Sequence, residues 1–373
     1  MPVEVQQAGP AQPVEAGKKP ASEASSAAPI SGSGGSRRDV PSWRESVDRF
    51  ARPSLGRSLF ALATSIVPFL GFWVLMYFSL RVSYLLVLVL AVPTAGFLVR
   101  TFILFHDCAH GSFLRSRRAN GLVGAFLALM VFTPFAQWRH DHAGHHATGS
   151  DLDRRGVGDV PTLTVAEYNA KSFWGRLGYR LFRNPLVMFG VGPIYAMLLL
   201  PRWISRSARP RIQRSVWGTD LALVVVIGAL CWLIGWRDFV LVEAPLVPLA
   251  GGVGIWLFYV QHQFEDTWWR RSPEWSYTDA ALRGSSYLRL PKILQFFTGN
   301  IGLHHVHHLS PKIPNYNLQR AHDETPIFHD VPQVSLWDGV RATRLKLWDE
   351  DAGRLVTWAE ARPGASRSEA LAH

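Results

Sequence analysis

The sequence predicts an all-α integral membrane protein with four transmembrane helices arranged in two hairpins. Three observations lead there. Apolar residues, 48% of the 373, gather in uninterrupted blocks instead of spreading as amphipathic stripes. Lys and Arg crowd the segments outside the two hairpins and almost avoid the hairpin turns. Eleven of the 14 histidines fall in four places, each at the end of an apolar block or just beyond it.

Residues 1–40 are rich in Pro, Ala, Ser and Gly and lack hydrophobic periodicity. They are expected to form a disordered tail, with no apolar signal-peptide core. A membrane domain over 41–350 follows, introduced by Arg44, Arg49, Arg52 and Arg57. Its first span, about 59–80, carries no charge and is long enough to cross a bilayer. Arg81 separates it from a second span, about 82–105, and the two make a tight hairpin. A second hairpin comprises spans at about 216–236 and 239–261, divided by Arg237 and Asp238. Two shorter blocks, about 121–135 and 185–200, carry Pro at or near their ends and fit interfacial helices better than spans. Residues 351–373 are expected to be a C-terminal tail, and no internal repeat is evident.

Basic residues occupy the N-terminal tail, positions 115–118, the run Arg202 to Arg214 and the segment after Arg270. With positive charge inside, four spans place both termini and the long polar segments in the cytoplasm, in a cell's inner membrane. The net charge of +11 then reflects loops beside anionic membrane lipid and gives no reason to expect nucleic acid. Fifteen tryptophans, many near block ends, suit an interfacial belt. The two cysteines, Cys108 and Cys231, offer neither a disulfide framework nor zinc-ribbon spacing.

The histidine groups are His106 and His110; His140, His142, His145 and His146; the single His262; and His304, His305, His307 and His308. Residues three or four apart share a helix face. His106 and His110 therefore point together, as do His142, His145 and His146, and His304, His307 and His308. His140 falls on the opposite side of its helix and His305 at the edge of its face. With His262 this makes nine candidate ligands, too many for one ion and suited to two. Imidazole accepts Fe, Zn, Cu or Ni, so affinity alone does not choose iron. A ligating imidazole needs its other nitrogen held by a carboxylate, carbonyl or water. Asp107, Asp141, Glu265, Asp266 and Asn300 stand beside the groups and could do this, with His140 and His305 as further outer residues. No catalytic side chain is expected beyond the ligands. His322, His329 and His373 are expected to be ordinary surface residues.

The stretches HDCAHGSF from His106, HAGHHATGSDLD from His142, YVQHQFED from Tyr259 and GNIGLHHVHHLSPKIPNYNL from Gly299 resemble the membrane fatty acid desaturases, specifically the Δ12/ω6 acyl desaturases. One HxxxH box, two HxxHH boxes and a histidine at the end of the last span are present in family order, over roughly residues 50–345. Ala109 stands where family members commonly have Gly. The resemblance implies a mushroom-like four-span fold completed by a cytoplasmic helical cap holding a di-metal site of two irons. It also implies O2 as co-substrate, two external electrons and a place in lipid metabolism. The substrate would be a fatty acyl lipid, acyl-CoA or acyl-carrier protein. With no b5-like haem segment in either tail, the donor would be a separate ferredoxin- or flavodoxin-type protein.

An unactivated methylene C–H bond is too strong for side-chain acids and bases, which is why such chemistry needs O2 and a metal. A carotenoid or alkane hydroxylase or ketolase of the same histidine-box superfamily is the alternative enzyme, since ligand spacing does not separate the outcomes. A metal transporter needs ionisable residues partway across the bilayer. Leu59 to Leu80 and Leu221 to Trp236 carry no charge, Arg100 and Glu243 sit near block ends, and the histidines gather at one surface.

Overall fold

The computed structural model describes residues 43–156, 158–204 and 208–361; the expected tail over 1–40 lies outside them. Four helices are long and apolar enough to cross a membrane: Leu55–Ser79, Tyr84–His110, Pro210–Ile234 and Trp236–His262. The first hairpin turns through residues 80–83, where the Ser83 hydroxyl accepts from the Leu85 N–H and starts the second span. The second hairpin turns at Gly235 alone, whose φ of 89° favours a residue without Cβ. Arg237 and Asp238, the expected divider, instead lie in the first turn of the fourth span.

The second span is the central one. Half of its apolar window is buried within the protein, against 22% for the first span and 6% for the third. Its inner face, from Val87 and Ala91 through Leu104 and Phe105, packs in one core with Met76 of the first span and Leu246 of the fourth. The third span keeps Leu221, Val224, Trp232 and Leu233 exposed, a surface suited to lipid.

The two shorter blocks depart from their expected limits. The first is a helix, Arg117–Met130, ended by Val131 to Pro134 and followed at a bend of 102° by the helix Phe135–Thr148. The Phe135 ring packs directly on Gly124, where a Cβ would meet it at 2.2 Å. The second block, Val187–Arg202, is wound with wide, π-type turns around Pro193 and is bent by 58° from Phe173–Phe182. Each bent pair would count as a span only if taken across its bend.

The rest of the described residues form short helices and two small ribbons. Tyr287–Leu288 pairs in parallel with Gln333–Val334, and Leu347–Asp349 pairs antiparallel with Arg354–Val356. The second ribbon corrects the expected tail at 351–373. Leu355 and Val356 are buried, and Val356 packs with Leu347, Tyr168 and Tyr179, because an apolar pair so close to a turn can fold back onto the core. Nearby, the fully buried Arg183 guanidinium donates to Pro161 O, Thr162 Oγ1, Tyr259 OH, Gln263 Oε1 and Leu345 O at 2.9–3.1 Å. Such a charge is tolerable when most of its donors find acceptors, and here only Nε does not. The result ties the end of the fourth span to the C-terminal ribbon.

Candidate metal centre

The first histidine box is not beyond the second span but inside it: the helix runs five residues past its expected end, through His110, and stops at Gly111 with φ 65°. The second box forms the latter half of Phe135–Thr148. His262 is the last residue of the fourth span. The third box makes up the short helix His304–Leu309, reached through Gly299 and Asn300, both with positive φ. At Gly299 a Cβ would lie 2.8 Å from Ile103, so the close approach to the second span needs glycine.

These elements bring all nine expected ligands together, in two groups. His106, His110, His142, His146 and His307 form one; His145, His262, His304 and His308 form the other. Within each group the nearest ring nitrogens lie within 4.8 Å of one another. The shared helix faces therefore straddle two centres. His142 and His146, four apart, serve the first group while His145 serves the second; His304 and His308 serve the second while His307 serves the first.

The second group tests whether these residues fit metal ions. Its four Nε2 atoms form a closed ring with edges of 3.1 Å (His145–His262), 3.0 Å (His262–His304), 3.0 Å (His304–His308) and 3.2 Å (His308–His145). A neutral imidazole nitrogen carries either a proton or a lone pair, so hydrogen bonds can satisfy at most two of the four edges. Two tautomers are further constrained. His145 Nδ1 is hydrogen-bonded to the Asp159 carboxylate, and His262 Nδ1 lies 3.2 Å from Gly284 O, so both Nδ1 atoms donate. Their Nε2 lone pairs then face each other at 3.1 Å. A cation between them removes that repulsion. Two nitrogens at right angles, each about 2.1 Å from a metal, are separated by about 3.0 Å, close to the observed edges. In the first group, His142–His146 and His146–His307 show Nε2 separations of 3.1 and 3.0 Å, while His106 and His110 Nε2 are buried without a protein partner. The residues fit.

Burial pushes His304, His307 and His308 well below the usual histidine pKa, and neighbouring imidazoles add to the shift. They are held neutral, the form that ligates. Aromatic side chains wall the site. Trp138 stacks on His142 at 4.3 Å between ring centres and also meets His106, while Phe258 packs against His145 and His262.

Of the expected outer residues, Asp107 touches the site. One carboxylate oxygen lies 3.3 Å from His106 Nδ1; the other accepts from Asn315 N and Nδ2 at 2.7 and 2.8 Å. The others do not reach it. His140, Asp141, Glu265 and Asp266 are exposed, since each lies on the outer side of its helix or in the loop after it. Asn300 is spent on the backbone, donating to Asn315 O at 3.2 Å. His305 is buried but faces away, its Nε2 3.1 Å from His322 Nδ1. His322 is consequently half-buried and not an ordinary surface residue, whereas His329 is exposed. His373 lies outside the described residues. Asp159 and Asn315 were not among the expected residues. Asp159 follows His145 through a loop containing Gly156 and Gly158, and no periodicity links the two.

A helical membrane protein whose spans end in two buried histidine groups able to hold metal ions belongs to the class of membrane-bound histidine-box oxidoreductases. Comparison with known proteins gives the family. Residues 82–337 match the fatty acid desaturase family model. A fatty acid desaturase of Bacillus subtilis (strain 168) is 47% identical over 312 residues, covering 84% of this chain and 89% of that protein. An sn-1 oleoyl-lipid 12-desaturase of Synechocystis sp. is 27% identical over 75% of this chain and 77% of its own length. From the same organism, an sn-1 acyl-lipid omega-3 desaturase (ferredoxin) is 28% identical over 59% of this chain and 62% of its own. The chain belongs to the fatty acid desaturase family and is an oxidoreductase of lipid metabolism.

Proposed function

We propose that this chain introduces a cis double bond into the acyl chain of a membrane lipid, using O2 and two electrons at a di-iron centre, with Δ12/ω6 position. The observation that carries the reading is the pair of opposed imidazole lone pairs at His145 and His262, set within two groups of five and four histidines. Support for the position comes from the quoted boxes and from relatives named as oleoyl-lipid 12-desaturase and omega-6 desaturases. A separate ferredoxin- or flavodoxin-type protein donates the electrons, in keeping with the name of the omega-3 relative. The basic segments between hairpins orient the site and both termini toward the cytoplasm of a cell whose inner membrane holds the chain.

His106, His110, His142, His146 and His307 hold one iron, and His145, His262, His304 and His308 the other. Bound iron supplies, with O2, an oxidant strong enough for a methylene C–H bond. The protein's own residues do the rest. Asp159 and the Gly284 carbonyl fix the tautomers of His145 and His262. Asp107, pinned by Asn315, does the same for His106. Trp138 and Phe258 pack apolar faces against the ligand rings and hold them in place.

The test is expression in a host that makes oleoyl lipids but no dienoic ones, with head-group classes separated before the double bonds are located. A new cis bond at Δ12 on intact lipid is the expected product. Oxygenated carotenoids or alkanols without new unsaturation would refute the reading in favour of a hydroxylase.

A further inference from the structure

Two small cavities flank the second histidine group, and they share Ser150 and His262. The outer one is also lined by Arg155, Asp159 and Trp269; the inner one by Ser285, Tyr277, His308 and His146. The inner cavity thus touches members of both histidine groups. Both reach side chains with access to solvent: Asp159 at 16% and Arg155 at 20% exposure beside the outer one, and the half-buried Tyr277 beside the inner one.

Both cavities contain buried donors with no protein partner. In the outer one these are Trp269 Nε1 and Arg155 Nη1; in the inner one it is the hydroxyl of Ser285, a residue with no exposure at all. A buried donor left without an acceptor is unfavourable, and a water is the usual remedy. Each cavity leaves about 10 Å³ for the centre of a small molecule, roughly the room one water requires. Dioxygen would fit by size but would leave every one of these donors unsatisfied. Ser150 is itself held by an unusual backbone, with φ 63° and its hydroxyl seated so close to Gly284 that a Cβ there would meet it at 2.2 Å.

We propose that these two cavities are water sites, one on each side of Ser150, and that Ser285, Ser150 and their waters form the route by which protons reach the reacting oxygen. The proposal rests on the desaturase reading and deepens it. That reaction is R–CH2–CH2–R′ + O2 + 2 e⁻ + 2 H⁺ → R–CH=CH–R′ + 2 H2O. Two C–H bonds and the O–O bond break; one carbon–carbon π bond and four O–H bonds form. The donor protein supplies the two electrons, and two protons must come from solvent. The His145 and His262 ring nitrogens are not free to carry them, because both nitrogens of each ring are committed. The Ser150 and Ser285 hydroxyls, with a water in each cavity, offer a polar path past these rings.

The experiment uses the full chain in lipid vesicles with reduced ferredoxin and oleoyl lipid. It measures double bonds formed per electron pair, hydrogen peroxide released, the solvent deuterium isotope effect and bound iron. For Ser285→Ala and Trp269→Phe, iron content should be unchanged, double bonds per electron pair should fall about threefold or more with peroxide making up the difference, and the isotope effect should rise. Ser285→Thr, which keeps the hydroxyl, should restore coupling. If Ser285→Ala loses iron, Trp269→Phe carries the test alone, since the Trp269 ring is stacked on Trp348. Unchanged coupling and isotope effect in the iron-replete variants would overturn the relay while leaving the desaturase reading intact. A wild-type chain that makes no double bond overturns both.

Discussion

Replacing Asp159 with Asn separates the two histidine groups experimentally. Asp159 hydrogen-bonds His145 Nδ1, and His145 Nε2 lies 3.1 and 3.2 Å from two other members of the second group. An amide in place of the carboxylate weakens the hold on the imidazole and admits the wrong tautomer. Losing such a partner typically costs 10- to 100-fold in metal affinity, which is about 1.4–2.8 kcal/mol. Asp107→Asn should do less, because Asp107 meets His106 at 3.3 Å, beyond the usual range of a strong bond. It should act on the first group. The assay is metal content of the purified chain after dialysis against graded chelator. Asp159→Asn should lose one metal per chain at about 10- to 100-fold less chelator than wild type, with the second metal following near the wild-type concentration. Retention of both metals at wild-type chelator strength would show that the Asp159 carboxylate does not hold the ligand, and would undo the tautomer argument behind the metal fit.

Other consequences follow from single features. His142→Ala should abolish desaturation in expressing cells while His140→Ala should leave most of it, because His142 lies in the first group and His140 is exposed; equal losses in lipid analysis would contradict this. Gly124→Ala should lower stability by about 1–3 kcal/mol, since its Cβ would meet the Phe135 ring; thermal unfolding in detergent checks it, and an unchanged Tm would mean the bend relaxes freely. Complete metal removal should lower the Tm further, as the His145 and His262 lone pairs are left opposed.

The spans were legible because a charge-free block is written directly in residue order, whereas their ends were not. Hydropathy stops at Phe105, but the second helix continues through His106, Asp107 and Cys108, all buried, because Asn315 satisfies the Asp107 carboxylate and His106 turns its Nε2 into the first histidine group. Helical spacing picked out the nine imidazoles yet not their division. A face of three histidines spans enough arc to point at two centres, and only the packing of Phe135–Thr148 against His304–Leu309 decides which ring turns where. Adjacency in sequence misled for Glu265 and Asp266, which follow His262 but lie beyond the helix end, facing outward. Asp159 arrives through a loop and Asn315 through a turn; neither leaves a periodic trace. The ribbon formed by Arg354–Val356 was hidden for the same reason, being a long-range pairing of very few residues.

The Arg183 clamp makes the C-terminus part of the fourth span's anchorage. Its guanidinium grips Gln263, the neighbour of His262, with the same nitrogen that grips the Leu345 carbonyl, and Lys346 Nζ returns a bond to the Arg183 carbonyl. A truncation removing the last ribbon would therefore slacken a tether on His262 from some eighty positions downstream. Tags or fusions belong beyond that ribbon, since a cut made inside it would behave like a ligand mutation.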